Sequence, residues 1–311
     1  MGEQLDIEYR MAQAERRWGC VLKRKNRNEA AGPCPLCSLA DKDGFLVFCD
    51  GGFWCRQCGA TGWVDDDKVK TLSQTEVLTL RVAKLERQQQ EHEERLSRLE
   101  QMARCQDHLT YHDQMTLERR EYWHGEGIFD RAIDQFVLGY ARQCPTCHEC
   151  DSYTIPVFDI SRQLVNIRHR LINPNGHGKY RPHMPGLGTH LFNAQTLSES
   201  RKRVLILEGE KKSIIYNQHG WHAVGLMGKS FKWNPKWFEW FAPHGEIVIA
   251  LDPDAEENAW TLGELFAKRG FRQVRVANFA TKPDDAIVKY GARFEDIEAI
   301  LTGSRPVWSR N

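Results

Sequence analysis

The sequence predicts a multidomain α/β chain: a small cysteine-rich module, a helical linker, and a larger α/β part that ends in a parallel-sheet domain. Three observations carry this. Two Cys-x-x-Cys pairs stand early in the chain, Cys34/Cys37 and Cys55/Cys58. A charged, Gln-rich stretch without Gly or Pro runs from Leu72 to Gly125. Beyond it, two uninterrupted apolar runs, 204–207 and 247–251, end in acids, Glu208-Gly209-Glu210 and Asp252-Pro253-Asp254. Apolar strands without polar alternation are buried on both faces, as parallel sheets are, and such sheets bind ligands beyond their carboxyl ends.

Size and charge narrow the class. With 311 residues the chain has room for two or three modules with cores of their own. A formal net charge of +1 gives no bulk attraction to nucleic acid, but residues 160–203 carry eight Lys or Arg against one acid, Glu199. The amino end lacks the charged-then-apolar pattern of a secretion signal, and no apolar run approaches a membrane span. A cytoplasmic protein without membrane contact is expected.

Residues 1–71 read as a metal-held module. A short helical lead-in ends in Lys23-Arg24-Lys25-Asn26-Arg27, a solvated helix face or a phosphate contact. Seventeen residues separate the two cysteine pairs, and in a reducing compartment such knuckles close a tetrahedral thiolate site. Four thiolates leave no open position, so Zn2+ held by Cys34, Cys37, Cys55 and Cys58 would be structural. Residues 45–48 and 52–54 are the expected strands of a zinc ribbon, joined at Asp50-Gly51-Gly52. Cys20, Cys49 and Cys105 are scattered and read as ordinary buried thiols.

Residues 72–112 read as a helical linker. Ser73 and Glu76 have capping-box spacing, and Leu78, Val82, Leu85, Gln89, His92, Leu96, Leu99 and Ala103 step by four and three like a coiled-coil seam. Gln89 and His92 weaken that seam, so the helix pairs with another copy, folds back on its own chain, or stays a solvated spacer. Residues 113–202 open with two short amphipathic helices broken by Gly125-Glu126-Gly127. Cys144, Cys147, His148 and Cys150 offer ligands for a second zinc, although crowding within seven residues strains a tetrahedron. Residues 153–158 and 164–172 then form a hairpin with Arg168 and Arg170 on one face, and Lys179 and Arg181 repeat the two-residue spacing after the turn Asn173-Pro174-Asn175-Gly176.

Residues 203–303 are the parallel-sheet domain. A helix follows the first strand at 211–219, residues 222–226 form the next strand, and Asn234-Pro235 opens a helix rich in aromatics. A helix at 257–269 precedes a last strand at 274–276. Oxygen ligands at the acidic turns suit a hard cation such as Mg2+, which keeps several waters and bridges carboxylates to substrate phosphates. On an extended backbone, Asp252 and Asp254 point to the same side. Carboxylates also stabilise helix starts by themselves, an alternative that explains one such turn more easily than two. Residues 223–230 fit a loose P-loop pattern, but half of the match lies in a strand and Asn234-Pro235 delays the helix, so an ATPase is set aside.

These residues also carry a resemblance. Glu208-Gly209-Glu210 with Asp252-Pro253-Asp254 resembles the Glu and Asp-x-Asp signature of Toprim domains, found in primases, topoisomerases and some nucleases. Residues 54–62 resemble the second half of the primase zinc-binding domain in its four-Cys phage form. The segments from Glu121 to Tyr140 and from Lys179 to Asn193 resemble the primase polymerase core ahead of Toprim. Gly228 matches the glycine after the second Toprim strand, and Lys282-Pro283-Asp284-Asp285 is similar to the third acidic element, with Asp284 or Asp285 as the equivalent. Lys212 departs from the pattern, since many members place an acid there.

The resemblance covers residues 33–62 and about 115–300. It implies a DNA primase of the bacterial and phage replicative type, in the cytoplasm of a bacterial or phage-infected cell, making short RNA primers from ribonucleoside triphosphates on single-stranded DNA. It further implies Glu208, Asp252 and Asp254 as catalytic residues, and Glu208, Asp252, Asp254, Asp284 and Asp285 as the ligand set for Mg2+ or Mn2+. Arg168, Arg170, Lys179, Arg181, Lys211 and Lys229 would meet template or nucleotide phosphates. Any replicative helicase partner is expected at another surface, because the residues after 301 are too few to form a helicase-binding domain. Two other readings stay open: a non-catalytic zinc-plus-Toprim DNA-binding protein of recombination or repair, and a Toprim nuclease. The upstream polymerase-core segment and the basic hairpin favour the primase.

Overall fold

A computed structural model describes residues 7–37, 42–66, 74–174, 176, 178–228 and 233–310, and the chain divides into two compact units, residues 1–93 and 94–311. In the first unit, helix α1 (Ile7–Trp18) precedes a five-stranded antiparallel sheet of β1 (Lys23–Arg24), β2 (Glu29–Gly32), β3 (Phe45–Phe48), β4 (Gly52–Cys55) and β5 (Thr61–Trp63), in chain order. The β3–β4 turn falls where the glycines predict it. Gly51 takes φ +93°, which a side chain would resist, and Asp50 Oδ1 accepts the Gly52 N–H at 2.9 Å. Trp18 meets Phe45 and Phe53 edge-on at 5.5 and 4.9 Å, and these rings pack with Ile7, Ala14 and Val47. The basic stretch begins as a strand instead of ending a helix, and Arg24 and Lys25 are tied to Glu8 at 2.9 Å and Asp43 at 2.7 Å.

Helix α2 (Gln74–Arg104) crosses the division between the units. Ser73 of the expected capping box and the Leu78 side chain lie outside the described residues. Val82, Leu85 and Leu96 of the expected seam are exposed. Among the described side chains of the helix the fully buried one is Met102, one position off the seam, and with Leu99 it packs on Leu164, Ile167 and Leu187. The helix end therefore folds back on its own chain, because an apolar pocket there outweighs a seam diluted by Gln89 and His92.

In the second unit, α3 (Asp107–Asp113), α4 (Leu117–Gly125) and α5 (Asp130–Gln135) lead into a four-stranded antiparallel sheet of β6 (Gly139–Ala141), β7 (Ser152–Phe158), β8 (Leu164–Leu171) and β9 (Tyr180–Pro182). Trp123 of α4 is fully buried, and Tyr122 stacks on Tyr153 at 3.9 Å, which fixes α4 against this sheet.

The chain continues through β10 (Arg203–Glu208), α6 (Glu210–Gln218), β11 (Ala223–Leu226), α7 (Trp237–Phe241), β12 (Glu246–Ala250), α8 (Glu256–Lys268), β13 (Val274–Val276), α9 (Pro283–Val288), α10 (Phe294–Thr302) and β14 (Arg305–Pro306). The sheet order is β11-β10-β12-β13-β14, parallel except for the short edge strand β14, which the sequence did not announce. Val204, Ile206, Ile247 and Ile249 face a core with Phe241 and Phe266; Leu205, Leu207, Val248 and Ala250 face another with Trp123 and Tyr216. Both faces are covered, as runs without polar alternation require. Each fully buried aliphatic side chain contributes about 1.5–3 kcal/mol, so burial on both faces holds the strands that carry the acidic turns firmly in place.

Candidate active site

The sheet brings its acids to one edge. β10 ends at Glu208, Gly209 turns with φ +91°, and α6 starts at Glu210. β12 pairs with β10 in parallel register, Leu207 beside Ala250, so Asp252 emerges at the same edge. α9 adds Asp284 and Asp285 from its first turn. Opposite them the antiparallel sheet presents Arg168, Arg170 and Tyr180, and the α4–α5 turn presents Glu126. With Lys179, Lys211, Lys212, Gly228, Lys282 and Lys289, these residues line a polar cleft of about 390 Å³.

Most of the residues singled out from the sequence meet here: Arg168, Arg170, Lys179, Glu208, Lys211, Asp252, Asp284 and Asp285. Arg181 does not line the cleft. Register sets it opposite His169, whereas Tyr180 and Pro182 stand opposite Arg170 and Arg168; Lys179 precedes the strand, so the two-residue spacing does not carry over. The two aspartates of the second turn also part. Asp252 is extended, with φ −62° and ψ 151°, but Pro253–Ala255 is a 3-10 turn, leaving Asp252 buried and Asp254 exposed. Lys229 lies outside the described residues.

The cleft is laced with ion pairs. Lys211 Nζ reaches Glu126 Oε2 at 2.8 Å and Asp284 Oδ2 at 2.7 Å. Lys212 Nζ lies 3.0 Å from Asp252 Oδ1 and 3.8 Å from Asp284 Oδ1. Arg170 Nη2 donates to Glu126 Oε1 at 2.7 Å, and Arg168 Nε lies 3.5 Å from the buried Glu210. Burial works against the Lys211 ammonium, but its bonds to Asp284 and Glu126 hold its pKa above the ordinary lysine value. Burial likewise pushes the carboxyls of Asp284 and Glu126 up, and the neighbouring cations, Lys211 above all, bring both below the usual range. Lys179 is lowered by burial and by Arg170. Sequence reasoning assigned no partner role to Glu126. An acid between two glycines reads as a turn, and nothing local marks it as the partner of distant cations.

The metal donor sets differ in kind. Cys34 and Cys58 sulfurs lie 4.0 Å apart, and those of Cys37 and Cys55 3.9 Å apart. A tetrahedron with Zn–S bonds of about 2.3 Å has edges of roughly 3.8 Å, so the four thiols fit Zn2+. Among the described residues, only this set and Cys105, Asp107 and His183 bring three or more such ligand atoms within 4.8 Å of one another. The cleft acids are not such a set; the Lys212 ammonium stands between Asp252 and Asp284. Their chemistry still suits a hard cation completed by waters and phosphates, since the donors are carboxylate oxygens and the partner that now faces Asp252 Oδ1 and Asp284 Oδ1 is the Lys212 ammonium, a charge of the same sign as the cation. The Cys144 knuckle is folded otherwise. Its three thiols are buried against Leu171, Cys144 Sγ pairs with Thr146 Oγ1 at 3.3 Å, Cys150 Sγ meets the Asn173 carbonyl at 3.4 Å, and His148 is exposed.

No protein-family model matches the sequence, and no curated protein matches it. Solved structures do. The chain is similar to the zinc-binding and RNA polymerase domains of the Aquifex aeolicus primase, with a TM-score of 0.53 at 18% identity over 91% of this chain and 80% of that one. It is also similar to the RNA polymerase domain of the Mycobacterium tuberculosis primase DnaG, with a TM-score of 0.54 at 16% identity over 68% and 85% of the two chains. A third likeness is to a DnaG primase catalytic domain bound to single-stranded DNA, with a TM-score of 0.53 at 17% identity over 64% and 77%. At these identities the likeness speaks for the fold: a mixed α/β chain with a four-Cys ribbon followed by a larger α/β part.

Proposed function

We propose that the chain is a DNA primase, a nucleotidyltransferase that makes short RNA primers on single-stranded DNA. One observation carries this reading: a single cleft joins the basic face of the antiparallel sheet to the acid-bearing ends of the parallel strands. Extending a primer on a template requires both, cations to seat phosphates and carboxylates to hold metal at the reacting ones. Arg168, Arg170 and Lys179 would bind template or nucleotide phosphates without sequence choice. Arg168 and Arg170 already pair with Glu210 and Glu126, so incoming phosphates share or displace those partners. Glu208, Asp252 and Asp284 would hold Mg2+ or Mn2+, whose charge offsets that of the triphosphate and the primer hydroxyl. Asp254 joins them only if its 3-10 turn opens. In the ribbon, Trp54 and Trp63 are 45% and 50% exposed, and the pairing of Trp54 with Thr61 and of Gly52 with Trp63 puts them on one face, a platform for stacking unpaired bases.

The test is synthesis itself. Purified chain, single-stranded DNA, Mg2+ and labelled ribonucleotides should yield short RNA. Asp252→Asn should reduce the yield by orders of magnitude, with zinc content and single-strand binding unchanged. Asn caps a turn about as well as Asp, so intact synthesis in this variant would take Asp252 and its metal role out of the catalytic set, whereas a wild type that makes no RNA would end the reading. The Lys212 ammonium beside Asp252 and Asp284 favours one second reading, a non-catalytic DNA-binding protein. In that case the wild type binds single strands and incorporates nothing. Asp252-dependent nicking would instead point to a nuclease.

A further inference from the structure

Behind the basic strand lies a second set of ligand atoms. Cys105 follows the end of α2, Asp107 opens α3 and His183 follows β9, and their sulfur, carboxylate oxygen and ring nitrogen all lie within 4.8 Å of one another. His183 Nε2 is 3.3 Å from Asp107 Oδ2, and the Asp107 N–H donates to Cys105 Sγ at 3.5 Å. On the far side of its ring, His183 Nδ1 meets His169 Nε2 at 3.2 Å, and His169 Nδ1 meets Ser152 Oγ at 2.8 Å. Both His169 and Ser152 are fully buried, and the two imidazoles stack at 5.4 Å with an angle of 21° between them. The His183 ring is thus held in place from behind, the arrangement that orients metal-binding histidines.

We propose that Cys105, Asp107 and His183 bind a borderline divalent transition-metal ion such as Zn2+. A thiolate, an imidazole and a carboxylate are the ligand types zinc takes, and three protein ligands leave a fourth position for water. The mix of sulfur and nitrogen selects against Mg2+ and Ca2+. The chain of hydrogen bonds accommodates both states. Without metal, Ser152 O–H donates to His169 Nδ1, His169 Nε2–H to His183 Nδ1, and His183 Nε2–H to Asp107. With metal, the His183 Nε2 lone pair is the ligand, so His183 Nδ1–H donates to His169 Nε2, and His169 Nδ1–H to Ser152 Oγ. Each ring keeps one proton, moved from Nε2 to Nδ1, and the only proton released to solvent is that of the Cys105 thiol. Along β8, alternation puts His169 on the face opposite Arg168 and Arg170. The ion would clamp the α2–α3 junction to the end of β9, bracing from behind the strand that presents those arginines to the cleft.

The full-length chain, stripped by chelator under reducing conditions and titrated with Co2+, should bind about one equivalent more than Cys105→Ser, His183→Gln or Asp107→Asn. The Asp107 side chain is 52% exposed, so Asp107→Asn tests ligation without disturbing packing. In the wild type, ring 15N shifts of His169 should report a change from Nε2–H to Nδ1–H when zinc is added. Equal cobalt in the wild type and Asp107→Asn would overturn the site. So would a loss confined to Cys105→Ser, or a His169 tautomer that zinc leaves unchanged.

Discussion

Glu126 is the residue on which the cleft's ion pairs converge, and Glu126→Gln tests that role at nearly constant shape. The substitution leaves Arg170 and Lys211, whose side chains are 12% and 24% exposed, without their shared carboxylate. Breaking a fully buried pair costs about 3–5 kcal/mol, whereas a solvated pair is worth about 0–1 kcal/mol. Glu126 is 23% exposed, Lys211 keeps Asp284, and the Arg170 guanidinium keeps the Tyr122 ring at 5.2 Å, so the cost falls between the two limits, at about 2 kcal/mol. For a unit of this size each kcal/mol moves Tm by about 2–4 °C, giving a drop of about 4–8 °C. Thermal melts followed by tryptophan fluorescence would register it through buried Trp123, which adjoins Tyr122. In a Lys211→Met background the same change should cost less by about 1 kcal/mol, the coupling expected of residues in contact. A drop below about 1 °C, or strict additivity in the double variant, would mean that water screens these pairs and that Glu126 positions nothing.

Three further outcomes are expected. Cys55→Ser should release zinc and melt the ribbon while the second unit's unfolding midpoint holds, because closing a thiolate site supplies folding energy that so small a core lacks; metal analysis and limited proteolysis would show it. Arg168→Gln with Arg170→Gln should flatten the salt dependence of single-strand affinity by roughly 0.7 in slope per lost phosphate contact, and an unchanged slope would take both arginines out of the interface. Acid should destabilise the fold in two stages, read as the urea midpoint against pH. Burial pushes His169 down to about 3, so its stabilisation is complete above the ordinary imidazole value near 6.5 and is lost as pH falls toward 3. Glu126 and Asp284, held below the usual carboxylate range, add a second loss only below about pH 4. A midpoint level from pH 7 to pH 5 would contradict the first stage.

The parallel sheet was legible because its signal is local: apolar runs without alternation, each ending in acids, require strands buried on both faces with ligand groups at their ends. The ribbon was legible for the same reason, from cysteine spacing and one glycine turn. Electrostatics was not. Eight cations against one acid in residues 160–203 read as an open basic face, but Glu126 and Glu210, from segments on either side, reach in to Arg170 and Arg168. A charge count along the chain cannot see partners supplied by the fold. Backbone detail misled in two places: a 3-10 turn separates Asp254 from Asp252, and strand register turns Arg181 away. Cys105 looked inert because its companions, Asp107 and His183, are gathered only when β9 returns to the start of α3.

Lys212 gives the proposed cleft a rule about the order of events. Its ammonium sits against Asp252 and faces Asp284, so the acids begin with a tethered counter-ion. To admit a divalent cation, Lys212 must yield Asp252, and its own charge is then left over in a narrow space already crowded with lysines. A free cation gains little from that exchange. A triphosphate arriving with the cation takes up the surplus charge, so nucleotide and metal should enter as a pair, each binding weakly without the other.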